Sequence, residues 1–136
     1  MDKHMKQKVL SLALSLSAIA AALAMLPAAA HHSYAATYDP NQTITIEGRL
    51  VSFTLRNPHS MVYVVATDES GNTQRWAVEW GAANTLRSAG VDASSLAAGD
   101  EVIVTGLPGR QASAHRMLMR SVERTSDGWS WSGEVE

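Results

Sequence analysis

Four histidines lie beyond residue 30: His31, His32, His59 and His115. Imidazole changes charge near neutral pH, and the neutral ring is the commonest nitrogen ligand for transition metals. His31 and His32 follow Ala28-Ala29-Ala30, small residues of the kind a signal peptidase cuts after. A chain that starts at His31 carries a free α-amine with a reference pKa of about 8 beside an imidazole at about 6.5. Amine and imidazole of one terminal residue chelate a metal together, and His32 adds a second ring one peptide away. Such a nitrogen-rich set suits copper(II), nickel or zinc, with copper favoured by intrinsic affinity. The plainer alternative is a polar chain end that opens on two histidines.

His59 stands in Arg56-Asn57-Pro58-His59-Ser60. Pro58 fixes its own φ and pushes Asn57 to an extended conformation, so the loop presents His59 rigidly. Glu79 is a candidate ligand, or a partner that orients one, against the ordinary reading as a solvated strand residue. His115 is the remaining candidate, against a turn histidine bonded to backbone. No cysteine nucleophile, Gly-x-Ser-x-Gly turn, HExxH helix, phosphate loop or dinucleotide fingerprint is present, so an enzyme has no specific support. Glu47 and Glu79 are both carboxylates, but nothing in their spacing brings them together for acid–base work.

The elements that must position these residues are mostly strands. Residues 43–55 form one long strand whose apolar parity changes from Ile44, Ile46 and Leu50 to Val51, Phe53 and Leu55, which predicts a bulge or sharp coil beside Gly48. Residues 61–67 and 73–80 are the second and third strands, joined by the turn Asp68-Glu69-Ser70-Gly71-Asn72. A helix over 82–89 ends at Gly90. A fourth strand covers 101–105, a loop 106–114 and a fifth strand 115–122. Trp129-Ser130-Trp131 alternates again, as a short strand covering the barrel end or as an aromatic pair offered to a partner. Three strands, a short helix and two more strands is the order of a mainly β, five-stranded OB-like barrel; an open β-sandwich is the competitor. In such a barrel the first and last loops lie at one end, which brings His59 and His115 together. Residues 31–42 read as an arm of at most ~40 Å, at about 3.3 Å per residue. Tyr34 and Tyr38 are placed to pin it by burying their rings.

The front of the chain has its own logic. Lys3, Lys6 and Lys8 precede an uncharged run over 9–26, then Pro27 and the alanines. This is the layout of a secretory signal, with cleavage expected after Ala30, a periplasmic location and no stable membrane anchor afterwards. The 136-residue chain has no Cys, so disulfides, thiolate metal sites and a lipid-anchored N-terminus are excluded. Its eleven basic and thirteen acidic groups lose three Lys and one Asp with residues 1–30, leaving eight, all Arg, and twelve. A net charge of −4 on the remainder repels phosphate, so nucleic acid is not an expected partner.

The strings HHSYAATYD, IEGRLVSFTLRNPHSMVYV, WAVEWGAANTLRSAGV and LAAGDEVIVTG together resemble a family of small exported bacterial proteins classed as a domain of unknown function. The resemblance covers nearly all of residues 31–125. It marks His31, His32, Asn57, His59, Trp76, Glu79, Arg87 and Gly90; His115 and the Trp-Ser-Trp ending stand outside its pattern. It implies export and no established activity. The expected organisation is a signal segment 1–30, an arm 31–42, a barrel 43–125 and a tail 126–136. The expected function is non-enzymatic binding of copper or another transition metal through His31, His32 and His59, with Glu79 and His115 as further candidates. The alternative is a periplasmic protein-interaction or small-ligand module whose histidines are structural.

Overall fold

The computed structural model describes Asp2 and residues 34–135; the expected signal segment and the candidate ligands His31 and His32 lie outside the described residues. Six strands are present: β1 (Ile44–Thr54), β2 (Ser60–Thr67), β3 (Thr73–Trp80), β4 (Glu101–Pro108), β5 (Arg116–Arg124) and β6 (Ser130–Ser132). Two short α-helices accompany them, α1 (Tyr34–Thr37) and α2 (Ala83–Ser88). The strands run in the order β3-β2-β1-β4-β5-β6, and β5 also pairs in parallel with β3. That pairing closes β1–β5 into the expected five-stranded OB-like barrel and rules out the sandwich.

β1 serves two neighbours because it is long and bent. Its first half pairs with β4 from Ile44 to Arg49, and its second half pairs with β2 from Gly48 to Thr54. Gly48 belongs to both ladders, and a Cβ there would press on the Val65 carbonyl oxygen. The parity change has its cause three residues later, where the register with β2 shifts between Leu50 and Ser52. The extra residue is Val51, left 41% exposed, so Leu50 before it and Phe53 beyond it both pack on the core.

Alternation fills the barrel. Val62 and Val64 from β2, Val78 and Trp80 from β3, and Val102 and Val104 from β4 are fully buried. Trp80 lies between Phe53 and Trp131, with ring centroids 5.6 and 5.1 Å away. The Trp-Ser-Trp segment is thus a covering strand: β6 pairs with β5, Trp131 packs on Trp80, and Val135 is buried beyond it. Arg124 fixes the turn into β6 by gripping both carboxylate oxygens of Asp127 at 2.9 Å, which pulls that carboxyl down to about 2.

Three departures from expectation bear on the site. The end of the fourth strand runs on through Gly106-Leu107-Pro108, residues that read as loop. Gly106 is needed there because a Cβ would meet the Leu118 carbonyl oxygen at a register shift between β4 and β5. The arm contains α1, and it is hydrogen-bonded to the β4–β5 connection through Asp39 N–H to Pro108 O (2.9 Å) and Arg110 N–H to Thr37 O (2.9 Å). β5 begins at Arg116, because His115 takes a left-handed φ of 45° at the end of a 3-10 turn.

Helix α2 stops where the sequence says. Gly90, at φ +83°, donates to Arg87 O, and Val91 donates to Leu86 O with both apolar side chains buried, the double bond of a glycine-terminated helix. Its other end is capped from the β1–β2 loop: Ala83 N–H donates to Arg56 O (3.0 Å), and Asn84 N–H donates to Asn57 Oδ1 (3.3 Å). Asn57→Ala is expected to lower stability by about 1 kcal/mol, the usual value of a side-chain cap. Urea denaturation reads this directly, and an unchanged midpoint would show that the cap contributes nothing.

Candidate functional site

Five side chains from four parts of the fold converge at one end of the barrel. The β1–β2 loop supplies His59. Ser60 is fully buried and its hydroxyl both accepts from Arg56 N–H and donates to Arg56 O, at 3.2 Å each, which clamps the loop shut. Arg56 Nε also donates to the His59 carbonyl at 3.0 Å. β3 supplies Glu79, whose parity is opposite to that of the buried Val78 and Trp80. It is nonetheless no solvated strand residue, since its side chain is only 14% exposed. The arm covers it.

Helix α1 sets Tyr34 and Tyr38 one turn apart, with rings 6.3 Å between centroids. Tyr38 is 1% exposed and bridges to Gly109, as the pinning of the arm requires. β5 contributes its first residue, Arg116. The contacts form a chain. Tyr34 Oη is 2.7 Å from His59 Nδ1, and the same nitrogen is 3.3 Å from Glu79 Oε1. Tyr38 O–H donates to Glu79 Oε2 at 2.5 Å. Arg116 Nη2 lies 3.5 Å from that oxygen and donates to Tyr38 Oη, also at 3.5 Å.

Burial, and after it the nearby Glu79 charge, raises the Tyr34 phenol above its ordinary value. Burial acts on Tyr38 as well; its hydrogen bond to Glu79 and the carboxylate charge add to it and push the phenol far above the usual range. Tyr38 therefore stays protonated at neutral pH and acts as a donor to the carboxylate. In the tautomer that carries its proton on Nδ1, His59 donates to Tyr34 Oη beside the Glu79 carboxylate, and the lone pair is on Nε2. This carboxylate–imidazole arrangement is the one that prepares a histidine for a metal or for proton exchange.

Of the predicted site residues, the structure brings His59 and Glu79 together and leaves His115 apart. His115 is level with Trp76, three residues back along β3 from Glu79, and packs edge-on against that indole at 5.2 Å. Among the described residues no group of three or more His, Asp or Glu side chains could hold a metal. Arg116 and the role of Tyr38 as a donor to Glu79 were not anticipated. The Tyr34/Tyr38 spacing was the available signal, because an i,i+4 pair shares a helix face; nothing local singles out Arg116 from the other arginines.

The model of a family of unknown function matches residues 19–118. The chain belongs to DUF6152. All five clustered residues and Asn57 fall inside the matched span. No curated protein matches this DUF6152 chain. Among solved structures, it is similar to two crystal forms of the mitochondrial single-stranded DNA binding protein Rim1 from S. cerevisiae. Both are 13% identical, with TM-scores of 0.48 and 0.47, covering 64% and 65% of this chain and 96% and 97% of theirs. It is also similar to the small single-stranded DNA-binding protein from Streptomyces coelicolor, at 19% identity and a TM-score of 0.39, covering 62% of this chain and 92% of that one.

Proposed function

We propose that this DUF6152 chain is an exported, non-enzymatic binding protein that holds a transition metal, copper(II) foremost, through His31, His32 and His59. The supporting observation is the Tyr34–His59 contact at 2.7 Å. It ties the chain to the histidine loop only two residues after His32, a reach of at most ~7 Å of backbone. A chelate built on His31 and His32 would lie within that reach of His59, whose Nδ1 stands 3.3 Å from the Glu79 carboxylate. His59 Nε2 is the ligand atom in this reading. Glu79 acts as the group that orients the ring, with its oxygens committed to His59, Tyr38 and Arg116, and His115 takes no part.

The test is copper(II) titration into protein that begins at His31, followed by EPR. Nitrogen-rich coordination is expected near neutral pH. Affinity should fall as pH drops through about 6.5, because protons compete for the imidazole lone pairs. His59→Ala should weaken binding, and one residue added before His31 should change the spectrum by removing the amine chelate. If the parent binds copper no better than the His31→Ala/His32→Ala variant, the metal reading fails. The histidines are then structural, and an interaction module is preferred.

A further inference from the structure

The closed barrel has a gap in its wall beside the first halves of β1 and β3. β2 accompanies β1 only from Gly48 onward, so Ile44 to Glu47 have β4 on one side and no ladder partner on the other. β5 meets β3 only from Ala77 to Glu79, so the first half of β3 is unpaired on that side as well. An opening of about 490 Å³ lies here, bordered by Thr45 and Glu47 of β1, Glu69 of the hairpin, and Trp76 of β3. It continues past Ile44 and Trp76 into a hollow of about 380 Å³ that contains Arg110 and Arg116.

The backbone along this opening has a defined direction. Leu50 N–H donates to Asp100 O on the β4 side. Hydrogen-bonding direction alternates along a strand, so Ile44, Ile46 and Gly48 also bond toward β4, and Thr45 turns its N–H and C=O toward the opening. Unpaired strand edges of this kind are templates for another chain. The side chains add a sign. Glu47 and Glu69 border the edge, and neither has an ion-pair partner among the described residues. The half-buried Trp76 offers an apolar seat between them and the arginines.

We propose that this opening docks an extended, cationic peptide segment of a partner protein, added as a strand along residues 44–47. Main-chain bonds to Thr45 would supply affinity, and basic side chains facing Glu47 and Glu69 would supply selectivity. The same carboxylates disfavour a nucleic acid, whose phosphates they repel.

The probe is a fluorescein-labelled heptapeptide of alternating lysine and valine, titrated into the full chain. Saturable binding with a Kd below about 1 mM is expected. The Thr45 amide should gain protection from hydrogen exchange. The Glu47→Lys/Glu69→Lys variant, exposed at both positions, should lose at least about tenfold in affinity through like-charge repulsion. Alternate backbone N-methylation of the peptide should abolish binding. The proposal is overturned if the peptide does not saturate, if its N-methylated or glutamate–valine counterpart binds equally well, or if Thr45 gains no protection. It is equally overturned if an oligodeoxythymidylate occupies the opening and the double lysine variant binds it more tightly, which would make this a nucleic-acid surface.

Discussion

Trp80→Ala is expected to destabilise the barrel by about 3–5 kcal/mol, the usual cost of emptying a buried tryptophan site. The indole is fully buried and holds Phe53 on one side and Trp131 on the other. Removing it leaves β6 with nothing to cover and opens the end of the core at once. A loss of that size is a large share of the roughly 5–15 kcal/mol that holds an ordinary domain folded. Thermal melting followed by near-ultraviolet circular dichroism should show a fall of more than about 10 °C in Tm. Trp80→Phe should cost less. It keeps an aromatic ring in place and removes an indole N–H that has no hydrogen-bond partner among the described residues. If Trp80→Ala melts within a few degrees of the parent, Trp80 does not close this end of the core.

Glu79→Gln is the second large effect, and pH identifies its cause. The carboxylate accepts from the buried Tyr38 and faces His59 and Arg116, so neutralising it weakens several charge-assisted contacts at once. Near pH 8 the variant should be less stable by about 1.5–3 kcal/mol, the range for a hydrogen bond to a charged group. Above about pH 10 the unfolded chain releases its tyrosine protons. The folded parent retains the Tyr38 proton, because burial and Glu79 raise that phenol. The folded state then binds more protons than the unfolded state, so parent stability falls as pH rises. The neutral amide of the variant raises the phenol less than the carboxylate does, so the variant loses less over the same range. The stability gap between the two should therefore narrow between pH 8 and pH 11 in urea titrations. A gap that stays constant would mean that Tyr38 and Glu79 are not coupled.

Much of this fold is legible in the sequence. Val62/Val64, Val78/Trp80 and Val102/Val104 alternate because each strand has one face in the core, and that period is written locally. The helix stop at Gly90 is local as well, since only the left-handed turn that follows α2 is needed to explain it. Gly106 and Pro108 mislead for the opposite reason. Both are poor strand residues in isolation, and only the approach of the Leu118 carbonyl shows why a glycine belongs in β4. The site divides in the same way. Asn57, Pro58 and His59 announce a shaped loop by themselves. The meeting of His59 with Glu79, Tyr38 and Arg116 depends on how β3 and β5 pair and where the arm lies, and contacts separated by 41 and 78 residues leave no mark in any short window.

The parallel contact that completes the barrel is only three residues long on each strand, Ala77–Glu79 against Arg116–Leu118. Glu79 and Arg116 sit in that seam and also in the polar cluster. The clasp of the barrel and the candidate site are therefore one piece of structure. A short ladder is the natural place for a barrel to breathe, and whatever binds only the closed form holds it shut by mass action. Occupancy at His59 would then be felt as slower amide exchange at Ala77 and Met117, in residues that touch no ligand. The molecule would report its cargo through the tempo of its own opening.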